Sequence, residues 1–350
     1  MSYLYSNEIV FRGHPDKVAD QISDALLDAY MRDDKNSRCA IETVGGKGKI
    51  FITGEVTSKS HVDVESVVKL VLTDIGYDTN YEIINNIGIQ SPDIAQGVDI
   101  GGAGDQGMMF GYACRETPEM LPTAQVILQQ LAKMYDELRS RDKRFLPDGK
   151  AQITGYYDDE GKLQYIKDFT ISYQNTEEER DETDQIIVKC ASGIAALYGV
   201  EVKEYHINPT GKFLIGGFEG DAGLTGRKIV VDNYQSFANV GGGAFSGKDP
   251  TKVDRSAAYM ARNVAKWYLA SCKRIEWCEV QVSYAIGLEK PLAIYIRSNL
   301  GMIEPMDFLY EVFTPNEIIN KLGLRDFKYQ QTAAFGHFGN PNYPWEKVRR

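Results

Sequence analysis

Strand-like segments in this chain come in pairs ahead of helices, and the arrangement recurs three times along its 350 residues. Paired strands followed by helices build layered α+β units, whereas strict alternation of strand and helix would build a doubly wound parallel sheet. At about 150 residues per domain, the length leaves room for two or three such units. The first opens with a helix over residues 16–32: Val18, Ile22, Ala25, Leu26, Ala29 and Tyr30 share one stripe, and Pro15 stands at the start. Strands are expected at 38–44 and 49–57 around a glycine turn, then a second helix whose stripe runs from Val64 to Ile75 and ends at Gly76. A helix at 123–139, strands at 151–157 and 165–173 and a helix at 178–198 form the second unit. A helix at 250–270, strands at 279–286 and 292–298 and a helix at 315–322 form the third. Residues 90–107 are polar and glycine-rich, which predicts a mobile loop. No segment repeats at a fixed period and no GxGxxG opens a βαβ unit, so neither a solenoid nor a dinucleotide-binding fold is expected.

Charge narrows the partners. Lys and Arg number 39 against 49 Asp and Glu, a formal net charge of -10, and such a surface repels nucleic acid and anionic membranes. No apolar run reaches the roughly 18 residues of a bilayer span, and residues 1–10 are too short and polar for a secretory signal, so a cytoplasmic location is expected. The five cysteines are scattered and never spaced as CxxC, which predicts reduced thiols rather than disulfides or a zinc knuckle. His14, His61, His206 and His337 show no HxH or HExxH spacing, so any metal is expected to be a hard cation on carboxylates and phosphates.

The chemistry concentrates in glycine-rich windows. From Gly242 to Lys248 the chain reads GxxxxGK, but Asp249 stands where a Walker loop carries Ser or Thr, and a carboxylate there is expected to repel phosphate. The loop still offers backbone N–H groups, with Lys248 and Lys252 at the start of a helix, an arrangement suited to a polyphosphate. A second turn, residues 220–228, carries Asp221, Arg227 and Lys228. Gly13-His14-Pro15-Asp16-Lys17 opens the first helix, and residues 102–107 let backbone approach a planar ligand closely, with Asp105 at hand. By themselves these loops also fit an ATP-dependent phosphotransferase or hydrolase.

Taken together the windows resemble the methionine adenosyltransferase, or S-adenosylmethionine synthetase, family. The likeness rests on Gly13 to Lys17 with Ala19-Asp20-Gln21-Ile22-Ser23-Asp24-Ala25, Gln90-Ser91-Pro92-Asp93-Ile94, and Gly102 to Gly107 with Met109 to Ala113. It continues through Ile207 to Gly211, Gly223 to Lys228 with Asp232, Gly241 to Lys252 with Asp254 to Tyr259, and Phe335 to Gly339 with Pro344 to Lys347. The resemblance implies an α+β fold of three similar two-layer domains, at 1–92, 102–213 and 214–350, with a gating loop at 93–101. It implies a homodimer with active sites shared between subunits, in many members paired again as a tetramer. The implied reaction is attack of the methionine sulfur on C5′ of ATP, with release of triphosphate that is then cleaved to pyrophosphate and phosphate. Carried over by position, the catalytic residues are His14, Lys150, Arg227, Lys228, Lys248 and Lys252. ATP would meet His14, Asp148, Gly149, Lys150, Lys212, Phe213, Asp221, Arg227, Lys228, Ala244 and Lys248. L-methionine would meet Glu55, Gln90, Asp105, Asp221 and Lys252. Asp16 and Asp254 would hold two magnesium ions, and Glu42 would hold potassium.

The chain also departs from the family pattern. Phe11-Arg12 stands where Ser-Glu is usual, Lys212 where an arginine is, and Asn239-Val240 where many members have Arg-His, while the stretch between Asp99 and Gly102 is shorter. The first change puts bulk and a reversed charge beside the expected site.

Overall fold

The computed structural model describes residues 2–89 and 101–348. Three four-stranded sheets carry the fold, each covered by helices on one side. In the first, the antiparallel hairpin β2 (Arg38–Gly46) and β3 (Lys49–Thr57) is extended by β4 (Glu82–Gly88), parallel to β3, and by the short β9 (Gly223–Leu224) on β2. In the second, β6 (Phe145–Tyr157) and β7 (Leu163–Asn175) form the hairpin, with β8 (Glu201–Ile207) parallel to β7 and β1 (Tyr3–Val10) antiparallel to β6. Both use the same connection, a hairpin followed by a crossover helix and a parallel strand: α2 (Val64–Ile75) in one and α4 (Arg180–Leu197) in the other. The third sheet is antiparallel throughout, in the order β12 (Gly301–Ile303), β11 (Ala293–Ser298), β10 (Trp277–Tyr284), β5 (Gly107–Cys114).

The expected helices form, with ends set by local chemistry. In α1 (Pro15–Asp33) the His14 ring accepts the Asp16 N–H. In α2 the Asp63 carboxylate accepts the Ser66 N–H, and Gly76 closes the helix at φ 98°, a conformation that costs glycine least. The helices α3 (Thr123–Arg141), α5 (Val253–Ser271) and α6 (Pro315–Leu322) fall in the expected segments, α5 beginning at Val253 rather than at 250. The strands β1, β4, β5 and β8 are not anticipated by the sequence reading. Two of them pair far along the chain: β1 with β6 about the middle of the sequence, and β5 with β10 near its end. The sheets therefore are not drawn from three contiguous stretches. One apolar core runs continuously through the first and third sheets with α1, α2 and α5, and a second lies between the β6 sheet and α3 and α4.

Phe11 and Arg12 serve this architecture. Phe11 is buried, stacks on Tyr135 with centroids 4.5 Å apart and closes on Gly149, where a Cβ would lie 2.4 Å from its ring. Arg12 bonds Gln21 at 3.0 Å and pairs with Asp74 and Asp136. The bulk and the positive charge are spent on contacts between α1, α2 and α3.

Asp28, also on α1, accepts the Tyr329 and Gln330 N–H groups at 2.7 and 3.0 Å and makes no ion pair among the described residues. Burial pushes its carboxyl up to about 7. Since an unfolded aspartate titrates near about 3.9, the native state holds the extra proton between those values. Its contribution to stability is full at acid pH and lost as pH rises through about 7. We expect the difference in thermal midpoint between the parent and Asp28→Asn to be larger at about pH 5 than at about pH 8 by calorimetry. A difference that grows with pH would contradict the shift.

Candidate active site

The site is assembled on α1. Asp16, Asp20 and Asp24 follow one another at one-turn spacing, and each accepts a backbone N–H from a glycine-rich loop: Leu224 on Asp16 at 3.0 Å, Gly226 on Asp20 at 2.9 Å and Gly247 on Asp24 at 2.9 Å. The Ser23 hydroxyl adds bonds to Thr43 and Thr225, both 2.8 Å. Like charges at this spacing repel unless they are compensated. Lys228 bonds Asp16, Lys17 bonds both Asp20 and Asp232, and Arg255 bonds Asp24. Against the penalty of burial, the Lys228 ammonium and the Leu224 N–H hold the Asp16 carboxyl below its usual range.

Docked this way, the two loops touch. A Cβ on Gly226 would lie 2.5 Å from that of Ala244, so Arg227 and Lys228 are brought beside the Gly242–Lys248 turn. Arg227 approaches Asp16 to 3.5 Å, and Lys248 bonds Asp254 in the first turn of α5. Gly243 lies flat against Asp254, and Gly107, the first residue of β5, faces it as well.

Asp249 behaves differently from the sequence expectation. It is fully buried and points away from the loop, accepting the Cys39 N–H at 2.7 Å, the Thr251 N–H at 2.9 Å and the Lys252 ammonium at 2.6 Å. It stitches the loop to β2, where Ala40 and Lys248 form an isolated bridge, and its charge is neutralised before it can repel a phosphate.

His14 and β6 form a second wall. Gly13 and Phe11 bond the Pro147 and Gly149 carbonyls at 3.1 and 2.8 Å, and a Cβ on Gly13 would strike Pro147 at 2.4 Å. Burial, and then the Lys228 ammonium, hold the His14 imidazole down to about 4, so the ring is neutral near pH 7. Its Nδ1 accepts the Asp16 N–H at 3.2 Å, which leaves the proton on Nε2 as a donor. Asp148 accepts the Gly217 N–H at 2.8 Å, and burial pushes its carboxyl up to about 7. Lys150 is exposed on β6, 4.0 Å from Glu8.

Lys212 is exposed and 3.6 Å from Glu177, and the neighbouring Phe213 is half-buried with its carbonyl on the Asn175 N–H at 3.0 Å. Asp221 and Asp105 are exposed, and each accepts the N–H of the residue that follows it. Lys252 faces Asp249. Glu55 is half-buried on β3 opposite Ala40, and Glu42 is exposed on β2 opposite Thr53. Gln90 lies outside the described residues. The sequence assigns no role to Glu8, Asp20, Asp24 or Arg255, although the last three lie within the windows that carry the resemblance; the four-residue spacing of aspartates along α1 is a further signal for two of them.

The comparisons decide the family. Residues 2–92, 100–213 and 215–347 match the N-terminal, central and C-terminal domains of S-adenosylmethionine synthetase. The chain belongs to the S-adenosylmethionine synthetase family. It is 44% identical to the S-adenosylmethionine synthase of Fusobacterium nucleatum, the match covering 99% of this chain and 96% of that protein. To the synthases of Chlorobium phaeobacteroides and Parasynechococcus marenigrum it is 42% and 44% identical, over 99% of this chain and 96% and 94% of theirs. It is an enzyme of the methionine adenosyltransferase class, and its three-domain α+β fold is that of the synthetase family.

Two adjacent glycines test the geometry around Asp254. A Cβ on Gly243 would lie 2.2 Å from the Asp254 carboxyl, whereas one on Gly242 meets nothing within 4 Å. Gly243→Ala should lower turnover about tenfold or more, and Gly242→Ala should leave the thermal midpoint unchanged. Equal effects of the two in steady-state assays and thermal melts would show that Asp254 is not held against this loop.

Proposed function

We propose that the enzyme makes S-adenosylmethionine from ATP and L-methionine. The methionine sulfur uses a lone pair to bond C5′, the C5′–oxygen bond breaks, and the triphosphate leaves with that electron pair. Water then splits the triphosphate to pyrophosphate and phosphate. The observation that carries this reading is the docking of two glycine-rich turns on one helix, which brings Arg227, Lys228 and Lys248 together with two carboxylates. A thioether has no proton to lose, so the first step needs no general base, and the demand falls on stabilising the negative charge that grows on the leaving oxygens. Arg227, Lys228 and Lys248 answer that demand, with Lys150 and Lys252 at the margins. The neutral His14, its proton on Nε2, donates to the triphosphate near the bond that breaks.

Asp148 with Gly149, Lys212, Phe213 and the Ala244 backbone would hold the nucleotide. Glu55, Gln90, Asp105 and Asp221 would face the methionine amine and the nascent sulfonium, with Asp221 between the two substrates. The carboxylates of Asp16 and Asp254 fit magnesium, which characteristically takes one or two carboxylates and completes its shell with phosphate oxygens and water. Both are already engaged by lysines, as expected of groups that share a site with polyphosphate. Magnesium there would neutralise phosphate charge. Glu42 alone offers potassium too few oxygens, so no step is assigned to that ion.

Val44, Phe51 and Ile84 stand side by side across β2, β3 and β4, each at least 36% exposed, on the face that carries Glu42 and Glu55. A second copy on this face would bury the row and close the methionine side of the site, giving the homodimer; a tetramer would pair two dimers. No helix among the described residues is long and apolar enough to cross a membrane, and we infer a cytoplasmic enzyme of one-carbon metabolism.

Mass spectrometry of products from ATP, methionine, magnesium and potassium tests the reaction. S-adenosylmethionine with equal pyrophosphate and phosphate is expected; ADP without the sulfonium would mean a phosphotransferase. Lys248→Ala and Asp254→Ala should each lower turnover about a hundredfold or more while the fold survives, and folded variants of near-normal rate would remove these residues from their roles. Phe51→Asp should sediment as a monomer and lose activity, and an active Phe51→Asp dimer would rule out this interface.

A further inference from the structure

Arg255 is fully buried and is assigned no contact with substrate, yet each of its three nitrogens is engaged. Nη1 and Nη2 fork onto the two Asp24 oxygens at 2.7 and 2.8 Å, Nη1 also reaches the Lys248 carbonyl at 3.0 Å, Nη2 the Thr332 hydroxyl at 3.2 Å, and Nε the Tyr259 hydroxyl at 3.0 Å. The guanidinium lies 4.2 Å from the centre of the Tyr329 ring. Asp24 in turn accepts the Gly247 N–H at 2.9 Å. One ion pair therefore grips the peptide ahead of Gly247 and the peptide after Lys248. The peptide between them is held by β2, whose Ile41 N–H donates to the Gly247 carbonyl at 3.0 Å. Gly247 itself sits at φ 81°, with no room for a Cβ, which would lie 1.9 Å from the Ile41 oxygen.

Three consecutive peptide units are thus fixed around a residue whose side chain is a long, flexible ammonium. Such a side chain delivers its charge accurately only from an anchored backbone, and a displacement of about 1 Å can cost about a hundredfold in rate. We propose that Asp24 and Arg255 are positioning residues that act through Lys248, setting where its ammonium stands toward the leaving phosphates. The proposal rests on the reading of Lys248 as a phosphate cation. It makes a buried pair with no substrate contact a determinant of turnover.

A double-mutant cycle tests it, because residues acting through one partner lose their effect when that partner is gone. Arg255→Lys keeps a charge opposite Asp24 but has no fork to reach the Lys248 carbonyl as well. In the parent enzyme it should lower kcat about tenfold and weaken binding of inorganic tripolyphosphate by a similar factor, with KM for methionine within about twofold. In the Lys248→Ala background the same change should alter both readouts less than about twofold. Equal factors in both backgrounds, or a fall in thermal midpoint with kcat and tripolyphosphate affinity intact, would overturn the proposal and leave Lys248 in its role. An undiminished rate in Lys248→Ala would overturn the phosphate reading and the proposal together. If Arg255→Lys does not fold, Thr332→Val, which removes only one hydroxyl from the guanidinium, takes its place in the cycle, with a smaller loss expected in the parent and none without Lys248.

Discussion

Four aspartates on one buried helix face govern this structure. Asp16, Asp20, Asp24 and Asp28 recur at every turn of α1, and each accepts backbone N–H groups from segments two hundred or more residues away. Ionised carboxylates are costly inside a protein unless hydrogen-bonded and paired. For Asp16, Asp20 and Asp24 the cost is met by drawing in Lys228, Lys17 and Arg255, so the glycine-rich loops dock where the cations are, whereas Asp28 has no such partner among the described residues. The helix is at once part of the largest core and the frame of the proposed active site.

The same interactions would hold positive groups ready for the polyphosphate of the proposed reaction. Lys228 rests on Asp16 and Lys248 on Asp254, each pair partly screened from solvent. Cations held beside carboxylates pay less to reorganise than free lysines when a charged ligand enters, which is the sense in which such a site is preorganised. The glycines serve the same end: Gly226 against Ala244, Gly243 against Asp254 and Gly247 against Ile41 leave no space for side chains.

Much of the fold was legible in the sequence. The stripes of α1 and α2, the hairpin of β2 and β3 and the helix starts at Pro15 and Pro315 follow from local periodicity and capping, which act within a few residues. The strands β1 and β5 were not legible, because their partners are β6 and β10, and nothing in ten residues announces a partner so far along the chain. Asp249 was misread for the same reason: in sequence it follows Lys248, but in space its carboxylate turns to Cys39 and Lys252.

By itself the sequence determined the chemistry available: glycine turns carrying Arg227, Lys228 and Lys248, carboxylates at Asp16 and Asp254, and a His14 at a helix start. Only the tertiary structure decided which of these meet, which charges are spent inward, and that Phe11 and Arg12 belong to packing rather than catalysis. The division has a physical cause. Residue type and spacing fix local conformation and chemical capacity, whereas burial and pairing over long chain separations set the charge state and direction of each group.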